Sequence, residues 1–205
     1  MRAVFQIQTL TCVLCAWIVF TPPAHCGHLE LNEDRIHIYI INQGDFPSAD
    51  EYGPDIIQAI IDRLRTEENY YYKPRMVAAL AAAIRQFPLE TELRSKGKDA
   101  LYEQLQSPDE RTRWFTASVV AGLYKADATE ALLSMVDDPV ERVRLIAIES
   151  LGTYGKPETL PKLKEAIARR SRTLTNEQKA NDATLHFGQE SIEMLEKRSP
   201  TRNQK

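Results

Sequence analysis

A phrase of four residues at position 107 recurs thirty-one positions later, at position 138, and this repetition limits the possible folds. Residues 107–110 read Ser-Pro-Asp-Glu and precede Arg113, and residues 138–141 read Asp-Pro-Val-Glu and precede Arg144. Each phrase opens an apolar run with helical spacing, followed by a short turn and a second, shorter helical run. Self-similarity at this period is typical of solenoids made of stacked helical hairpins. The repetition therefore predicts an all-α fold, a right-handed α-solenoid.

Each copy begins with residues that favour a helix N-terminus. In the second copy Asp138 is the predicted N-cap, Pro139 suits the first helical position and Glu141 completes a capping box. Residues 107–110 form the same arrangement in the first copy. The residues that follow at helical spacing form the predicted core, namely Val143, Ile146, Ala147, Ile148, Ser150 and Leu151 in the second copy and Val119, Val120 and Leu123 in the first.

The motif of the second copy resembles a known repeat. It reads Asp-Pro-x-Glu-Arg-Val-Arg-x-x-Ala-x-x-x-Leu-Gly and then Pro-Glu-Thr-Leu-Pro-x-Leu, and it is similar to the short HEAT-like repeat first described in phycobilisome lyases. Two copies match between residues 107 and 167, with second helices expected at 127–136 and 157–167. A degenerate copy opens at Pro74 and has its second helix at 100–105, after a loop with about seven extra residues. With a half repeat at 54–65, residues 54–169 would hold about three and a half repeats.

The resemblance implies a structural role for one arginine near the start of each first helix. In HEAT-type solenoids such arginines commonly bond to loop carboxylates between repeats. The matching arginines here are Arg75, Arg113 and Arg144, and the candidate carboxylates are Asp109, Asp137 and Asp138. The resemblance also implies lyase-type activity, as an enzyme or an enzyme subunit, as the alternative to a binding function.

Residues 1–26 have the layout of a secretory signal peptide, with one basic residue, no acidic residue and an apolar stretch strongest over 12–20. Two alternatives stay open, a membrane anchor over 3–20 and a lipoprotein modified at Cys26. The three cysteines, Cys12, Cys15 and Cys26, all lie in this leader, so the mature chain would tolerate an oxidising compartment. We expect a secreted or periplasmic protein that meets a membrane only if the leader is retained or lipidated.

The composition argues against nucleic-acid binding and against common catalytic chemistry. The formal net charge is −3, and loss of the leader with its single arginine makes it −4 (25 − 29), which is unfavourable for contact with phosphates. Beyond residue 26 the sequence has three histidines and no His-x-x-x-His pair, glycine-rich phosphate loop or nucleophile elbow. We therefore expect no catalytic residue, no metal and no cofactor.

The two ends of the chain lie outside the repeats. Residues 27–53 are expected to form an N-terminal cap or linker, with a possible strand at 36–41, where β-branched residues alternate. This segment could cover the end of the solenoid, pair between chains, or be an apolar helix. A capping box that begins at Thr175 predicts a C-terminal helix within 170–198, and residues 199–205 are expected to be disordered.

With no catalytic cluster in the sequence, the expected function is that of a non-enzymatic scaffold that binds an unidentified protein. Its binding groove would be formed by the second helices of the repeats. A membrane-tethered envelope scaffold is a further alternative if the leader is uncleaved. Aromatic residues dominate binding hot spots, and the candidates for the partner surface are Tyr70, Tyr71, Tyr72, Tyr102 and Trp114.

Overall fold

The computed structural model describes residues 31–42 and 49–199, and within these residues the chain is all-α, without a strand. In chain order the helices begin with α1 (Glu33–Ile41), α2 (Ala49–Tyr52), α3 (Asp55–Thr66), α4 (Lys73–Gln86), α5 (Thr91–Gln104) and α6 (Glu110–Tyr124). They are followed by α7 (Thr129–Leu133), α8 (Glu141–Tyr154), α9 (Leu160–Thr173), α10 (Asn176–Ala180) and α11 (Ala183–Arg198). The predicted leader and the tail from residue 200 lie outside the described residues.

The helices form a stack of hairpins. The packed hairpins are α1 with α3, α4 with α5, and α6 with α7. In the last layer α9 follows α8 in the chain, and α11 closes the stack by packing on both. The first helices pack consecutively, α1 on α4, α4 on α6, α6 on α8 and α8 on α11. The predicted all-α solenoid is confirmed for the described part of the chain.

One apolar core runs through the stack from Tyr39 to Leu195. In α3 the isoleucines and Leu64 recur at helical spacing and are fully buried, which explains why this helix anchors the N-terminal half. Of the predicted core residues, Val120, Val143, Ala147, Ile148, Ser150 and Leu151 are buried, whereas Val119, Leu123 and Ile146 are partly buried against the core. Predicted positions and observed burial therefore agree through both copies of the repeat.

The helix starts differ from the predicted caps by two residues. Asp109, not Ser107, caps α6, and its carboxylate accepts a hydrogen bond from the Thr112 amide at 2.7 Å. Before α8 the Asp138 carboxylate accepts from the Val140 amide at 2.8 Å, so Asp138 closes a turn and the helix begins at Glu141. Short polar side chains often bond to the backbone two residues on, and here that bond delays the helix.

The predicted strand at 36–41 is wrong, because these residues belong to α1. The Asn32 side chain caps the helix by accepting from the Arg35 amide at 3.0 Å. Tyr39 and Ile40 then face α3 and α4 and are buried. β-Branched residues have only a weak preference for strands, and burial of one helical face outweighs it here. The half repeat predicted at 54–65 is thereby completed into a hairpin.

The bounds of four other predicted helices also differ. The second helix predicted at 100–105 is α5, which begins at Thr91 because the extra residues lengthen the helix. The one predicted at 127–136 is a 3-10 turn followed by the short α7, and the one predicted at 157–167 is extended by α9 to Thr173. The capping box at Thr175 is present, but its helix α10 ends at Ala180, because Asp182 caps a separate helix, α11. No helix among the described residues has the length and apolar character needed to span a bilayer.

Candidate protein-binding surface

The turns that precede α6 and α8 are joined by one buried ion pair. Arg113 donates from Nε and Nη2 to the two carboxylate oxygens of Asp138, at 2.8 and 3.0 Å, and from Nη1 to the carbonyls of Ser107 and Pro108. The two side chains are 13% and 9% exposed, so the pair is screened little by solvent. The hydrogen bonds to Asp138 raise the pKa of the Arg113 guanidinium. This bond links two repeats, as the resemblance implied for these residues.

Arg144 lies in the same place one repeat later. Its Nη1 donates to the carbonyls of Asp138 and Pro139, at 2.8 and 3.0 Å, which reproduces the backbone contacts of Arg113. Its Nε donates to the Thr184 hydroxyl at 3.3 Å, and the nearest carboxylate with which it pairs, that of Glu141, is 3.9 Å from Nη2. Burial, followed by the charge of Arg170, lowers the pKa of Arg144.

The other predicted inter-repeat residues take different roles. Arg75 contacts the Tyr71 ring, with 5.3 Å between Cζ and the ring centroid, and forms no ion pair within the described residues. Asp109 is occupied as the cap of α6, so its carboxylate is not directed at Arg75. Asp137 pairs with Arg169 of α9. Arg113 binds the aspartate that opens the following repeat, and the equivalent position for Arg75 is Ser107, which has no carboxylate.

Three of the five predicted aromatic residues meet at the N-terminal ends of the first helices. Tyr70 and Tyr71, on the turn before α4, are 44% and 62% exposed, and the Tyr71 amide donates to the Asn69 side chain at 3.0 Å. Trp114 in the first turns of α6 is half-buried and packs edge-to-face on Phe115. An open pocket of about 250 Å³ lies between them, and we call its lining residues the aromatic surface: Tyr70, Tyr71, Pro74, Arg111, Trp114, Phe115 and Arg142.

Cations border this surface without acidic partners. The Arg142 guanidinium stacks on Trp114, with 3.6 Å between Cζ and the ring centroid, and the Lys73 ammonium lies 5.3 Å from the Tyr70 centroid. Arg111 lines the pocket, whose lining contains no Asp or Glu. Within the described part of the chain, none of these three cations forms an ion pair. The surface therefore combines apolar area with unneutralised positive charge.

Tyr72 and Tyr102 are not part of the aromatic surface. Tyr72 is partly buried and does not line the pocket; its ring packs edge-to-face on Tyr71, with 5.4 Å between centroids, and on His37 of α1, with 6.3 Å. Tyr102 lies on α5, where its hydroxyl donates to the Asp127 carbonyl at 3.3 Å and its ring contacts Tyr124. Burial raises the pKa of Tyr102. Five candidates that looked alike in the sequence thus separate into three locations.

Sequence reasoning missed the two arginines of the aromatic surface. Arg111 and Arg142 are thirty-one residues apart, so they occupy the same position in consecutive repeats. Each is the second residue of the first helix in its repeat, two residues before the structural arginine. The repeat register, extended to surface positions, could have identified them. Nothing in the sequence indicated that Arg142 of one repeat stacks on Trp114 of the preceding one.

The exposed face of the second helices is dominated by ion pairs. These pairs connect consecutive layers of the stack, and they are Arg65–Glu103, Lys162–Glu130, Arg169–Asp137 and Lys164–Glu196. Most of the side chains are about half exposed or more, so each pair contributes little to stability. Because both charges are already paired, this face has less to offer a partner than the aromatic surface. Among the described residues, no three His, Cys, Asp or Glu side chains cluster as a metal site would require.

Comparison with known families agrees with the repeat architecture. Residues 98–178 match HEAT repeats. The matched segment begins within α5, contains the hairpins α6–α7 and α8–α9, and ends in α10. It includes Arg113, Arg144 and the residues of the aromatic surface that lie on α6 and α8. The resemblance to HEAT repeats is therefore supported for the middle of the chain. No curated protein matches the chain.

Proposed function

We propose that this protein is an exported, non-enzymatic HEAT-repeat module that binds a protein partner through its aromatic surface. The observation that supports the proposal most directly is the meeting of Tyr70, Tyr71 and Trp114 around one open pocket. Tyrosine, tryptophan and arginine are the residues that contribute most to binding hot spots. HEAT repeats are generally protein-binding scaffolds, and this surface lies on and beside the repeats.

The partner segment is expected to be acidic and to carry at least one large apolar side chain. Arg111, Arg142 and Lys73 border the pocket without acidic partners, and the N-terminal ends of α4, α6 and α8 add a positive helix dipole. A carboxylate beside the stacked guanidinium of Arg142 would form a charge-assisted hydrogen bond. An apolar side chain would fill the space between the tyrosines and Trp114. A basic or wholly polar segment would satisfy neither requirement.

The test is to capture partners from the exported fraction and to titrate the isolated partner segment against the purified protein. Beyond residue 26 the chain has a single tryptophan, Trp114, so its fluorescence reports on the surface itself. We expect Trp114→Ala and Arg142→Glu each to weaken binding by about tenfold or more. Binding to Arg142→Glu can be measured by Trp114 fluorescence, whereas binding to Trp114→Ala, which has lost this signal, is measured by electrophoresis or calorimetry. Both variants should retain the melting temperature within a few degrees.

Lys162→Ala is the matched control, because Lys162 is exposed on the second-helix face and pairs only with exposed Glu130. Normal binding by this variant and loss by Trp114→Ala would support the aromatic surface. Loss of binding by Lys162→Ala together with normal binding by Trp114→Ala would place the binding site in the groove of the second helices. This groove is the second candidate because solenoids often bind partners along such surfaces. Equal binding by all variants would contradict both.

Export is the second part of the proposal and rests on the leader pattern in residues 1–26. Expression of the full-length gene, cell fractionation and N-terminal sequencing should yield an exported chain that begins near Gly27. A chain that stays in the membrane fraction and keeps Met1, or carries lipid on Cys26, would instead identify a tethered scaffold. The binding proposal does not depend on this outcome, since the aromatic surface lies outside the leader.

The non-enzymatic part of the proposal has its own test. A lyase of the phycobilisome type would handle a pigment or another small cofactor, whereas a binding module needs none. The absorption spectrum and the intact mass of the purified protein should therefore correspond to the polypeptide alone. A coloured species that co-purifies in stoichiometric amount would favour the lyase alternative.

A further inference from the structure

Arg113 and Arg144 occupy equivalent positions in consecutive repeats, but Arg144 lacks the hydrogen-bonded carboxylate that Arg113 has. Arg113 and Arg144 both donate from Nη1 to the two carbonyls of the turn before their helix. The Nε and Nη2 groups of Arg113 then bind both oxygens of Asp138. The same edge of Arg144 has only the Thr184 hydroxyl, 3.3 Å from Nε, and the Glu141 carboxylate 3.9 Å from Nη2.

The acidic residues near Arg144 are held by other cations. Asp182 is the closest substitute for the missing partner, but it binds Arg170 through both carboxylate oxygens and caps α11 through the Leu185 amide. Asp137 pairs with Arg169. Asp138 pairs with Arg113 of the preceding repeat. These three carboxylates are therefore already occupied, and Arg144 is left with the Thr184 hydroxyl and a long ion pair to Glu141.

A cavity lies at this edge of Arg144. It has a volume of about 370 Å³. Its lining contains three cations and two carboxylates, and each of those carboxylates is already paired with an arginine. The lining residues are Arg144, Arg169, Arg170, Asp137, Asp138, the hydroxyl residues Thr173 and Thr184, and the apolar residues Val136, Pro139, Ala166 and Ile167. Arg144 is 7% exposed, so its guanidinium is a buried charge whose hydrogen-bonding capacity is only partly used. Its one ion pair is the 3.9 Å contact with the exposed carboxylate of Glu141, which is longer than a hydrogen bond. A ligand that brings a carboxylate within hydrogen-bond distance of this buried charge is therefore favoured.

We propose that this cavity is a carboxylate-binding site, in which the ligand contacts Arg144 as Asp138 contacts Arg113. The carboxylate would accept hydrogen bonds from Nε and Nη2 of Arg144, replacing the long contact to Thr184. The Thr184 hydroxyl would then turn and donate to the same ligand. Arg170 and Arg169 add positive charge at the cavity, although Arg170 already pairs with Asp182, and Arg169 pairs with Asp137 and Glu165.

The carboxylate group could belong to a free small molecule or to an Asp or Glu side chain on a protein segment. The cavity has room for more than a carboxylate group, since two oxygens and a carbon occupy only a small part of about 370 Å³. Both sources share the planar, two-oxygen geometry that matches a guanidinium. This inference is independent of the aromatic surface, which lies at the N-terminal ends of α4, α6 and α8.

The test uses the full mature chain and follows the Nε–H signal of Arg144 by NMR together with the melting temperature. Sodium acetate is titrated against sodium chloride at equal ionic strength, and N-acetyl-aspartate amide serves as the protein-segment probe. We expect acetate, and not chloride, to shift the Arg144 signal and to raise the melting temperature. Tighter binding of the aspartate probe would assign a protein segment as the source, and tighter binding of acetate a free carboxylate.

Thr184→Asp is the decisive variant, because it places a carboxylate of the chain itself beside Arg144. It should raise the melting temperature in chloride and weaken acetate binding by about tenfold or more. Ser118→Asp, an exposed position on α6, is the charge-matched control and should leave acetate binding unchanged. Equal acetate effects on the wild type and on Thr184→Asp would overturn the proposal. So would an Arg144 signal that does not respond, or sulfate binding as tight as that of acetate.

Discussion

At the scale of single residues, we expect the buried ion pair between Arg113 and Asp138 to contribute strongly to the stability of the fold. Arg113→Met keeps much of the side-chain volume but leaves the Asp138 carboxylate, 9% exposed, without its cation. Such a change typically lowers the free energy of unfolding by about 3 kcal/mol. We expect this loss in urea denaturation followed by circular dichroism, with an unchanged slope against urea concentration.

Lys162→Met is the control for this prediction. Lys162 forms an ion pair of similar length with Glu130, at 3.0 Å, but the two side chains are 63% and 76% exposed. Solvent screens such a pair, so its loss should cost about 0.5 kcal/mol or less. If Arg113→Met proved as mild as Lys162→Met, the inter-repeat bond would be a consequence of stacking and not a cause of it.

At the scale of the elements, α8 and α11 approach each other closely at Gly152. A Cβ atom added to Gly152 would lie 2.9 Å from the Cα of Ser191, whose hydroxyl donates to the Ile148 carbonyl at 2.9 Å. Because the obstacle is backbone, one helix must move. We expect Gly152→Ala to lower the free energy of unfolding by about 1–3 kcal/mol, measured by chemical denaturation.

Gly122→Ala is the matched substitution in α6. A Cβ at Gly122 has no atom within 4 Å, and alanine is the better helix former by about 1 kcal/mol. This variant should therefore be neutral or more stable than the wild type. If both alanine variants were stabilised alike, the contact between α8 and α11 would be looser than the structure indicates.

At the scale of the whole molecule, the core is continuous, and the solenoid should unfold as one unit. Val143 is fully buried in the middle of this core. Val143→Asp buries an uncompensated carboxylate, which is costly enough to unfold a domain of this size. We expect a large loss of helical circular dichroism together with a red shift of Trp114 fluorescence, although Trp114 is on the preceding first helix.

Val143→Ala separates the effect of the charge from that of the lost volume. It should remain folded and lose about 2 kcal/mol. If Val143→Asp kept a native Trp114 signal while helicity fell, the repeats would melt independently, as nearest-neighbour stacking permits when the interfaces are weak.

Much of the architecture could be predicted from the sequence, because the repeat period and the apolar spacing are local properties. They placed Val120, Val143 and Leu151 in the core, and the capping box at Thr175 at a helix start. They failed where a local preference competes with burial. Residues 36–41 resemble a strand, yet packing against α3 and α4 makes them a helix. Turn bonds within 107–110 and 138–141 likewise moved both helix starts.

The sequence alone determined that the chain folds as stacked helical hairpins, since helical apolar stripes repeated every thirty-one residues are buried by stacking neighbouring repeats. Only the tertiary structure decided which surface residues meet. Tyr70, Tyr71 and Trp114 are brought together, with Arg142 from the next repeat, whereas Tyr102 is directed elsewhere. Likewise it left Arg144 without a carboxylate within hydrogen-bond distance, because Asp182 binds Arg170 and Glu141 lies 3.9 Å away. Contacts between repeats depend on how helices dock in three dimensions, and a one-dimensional pattern does not encode that geometry.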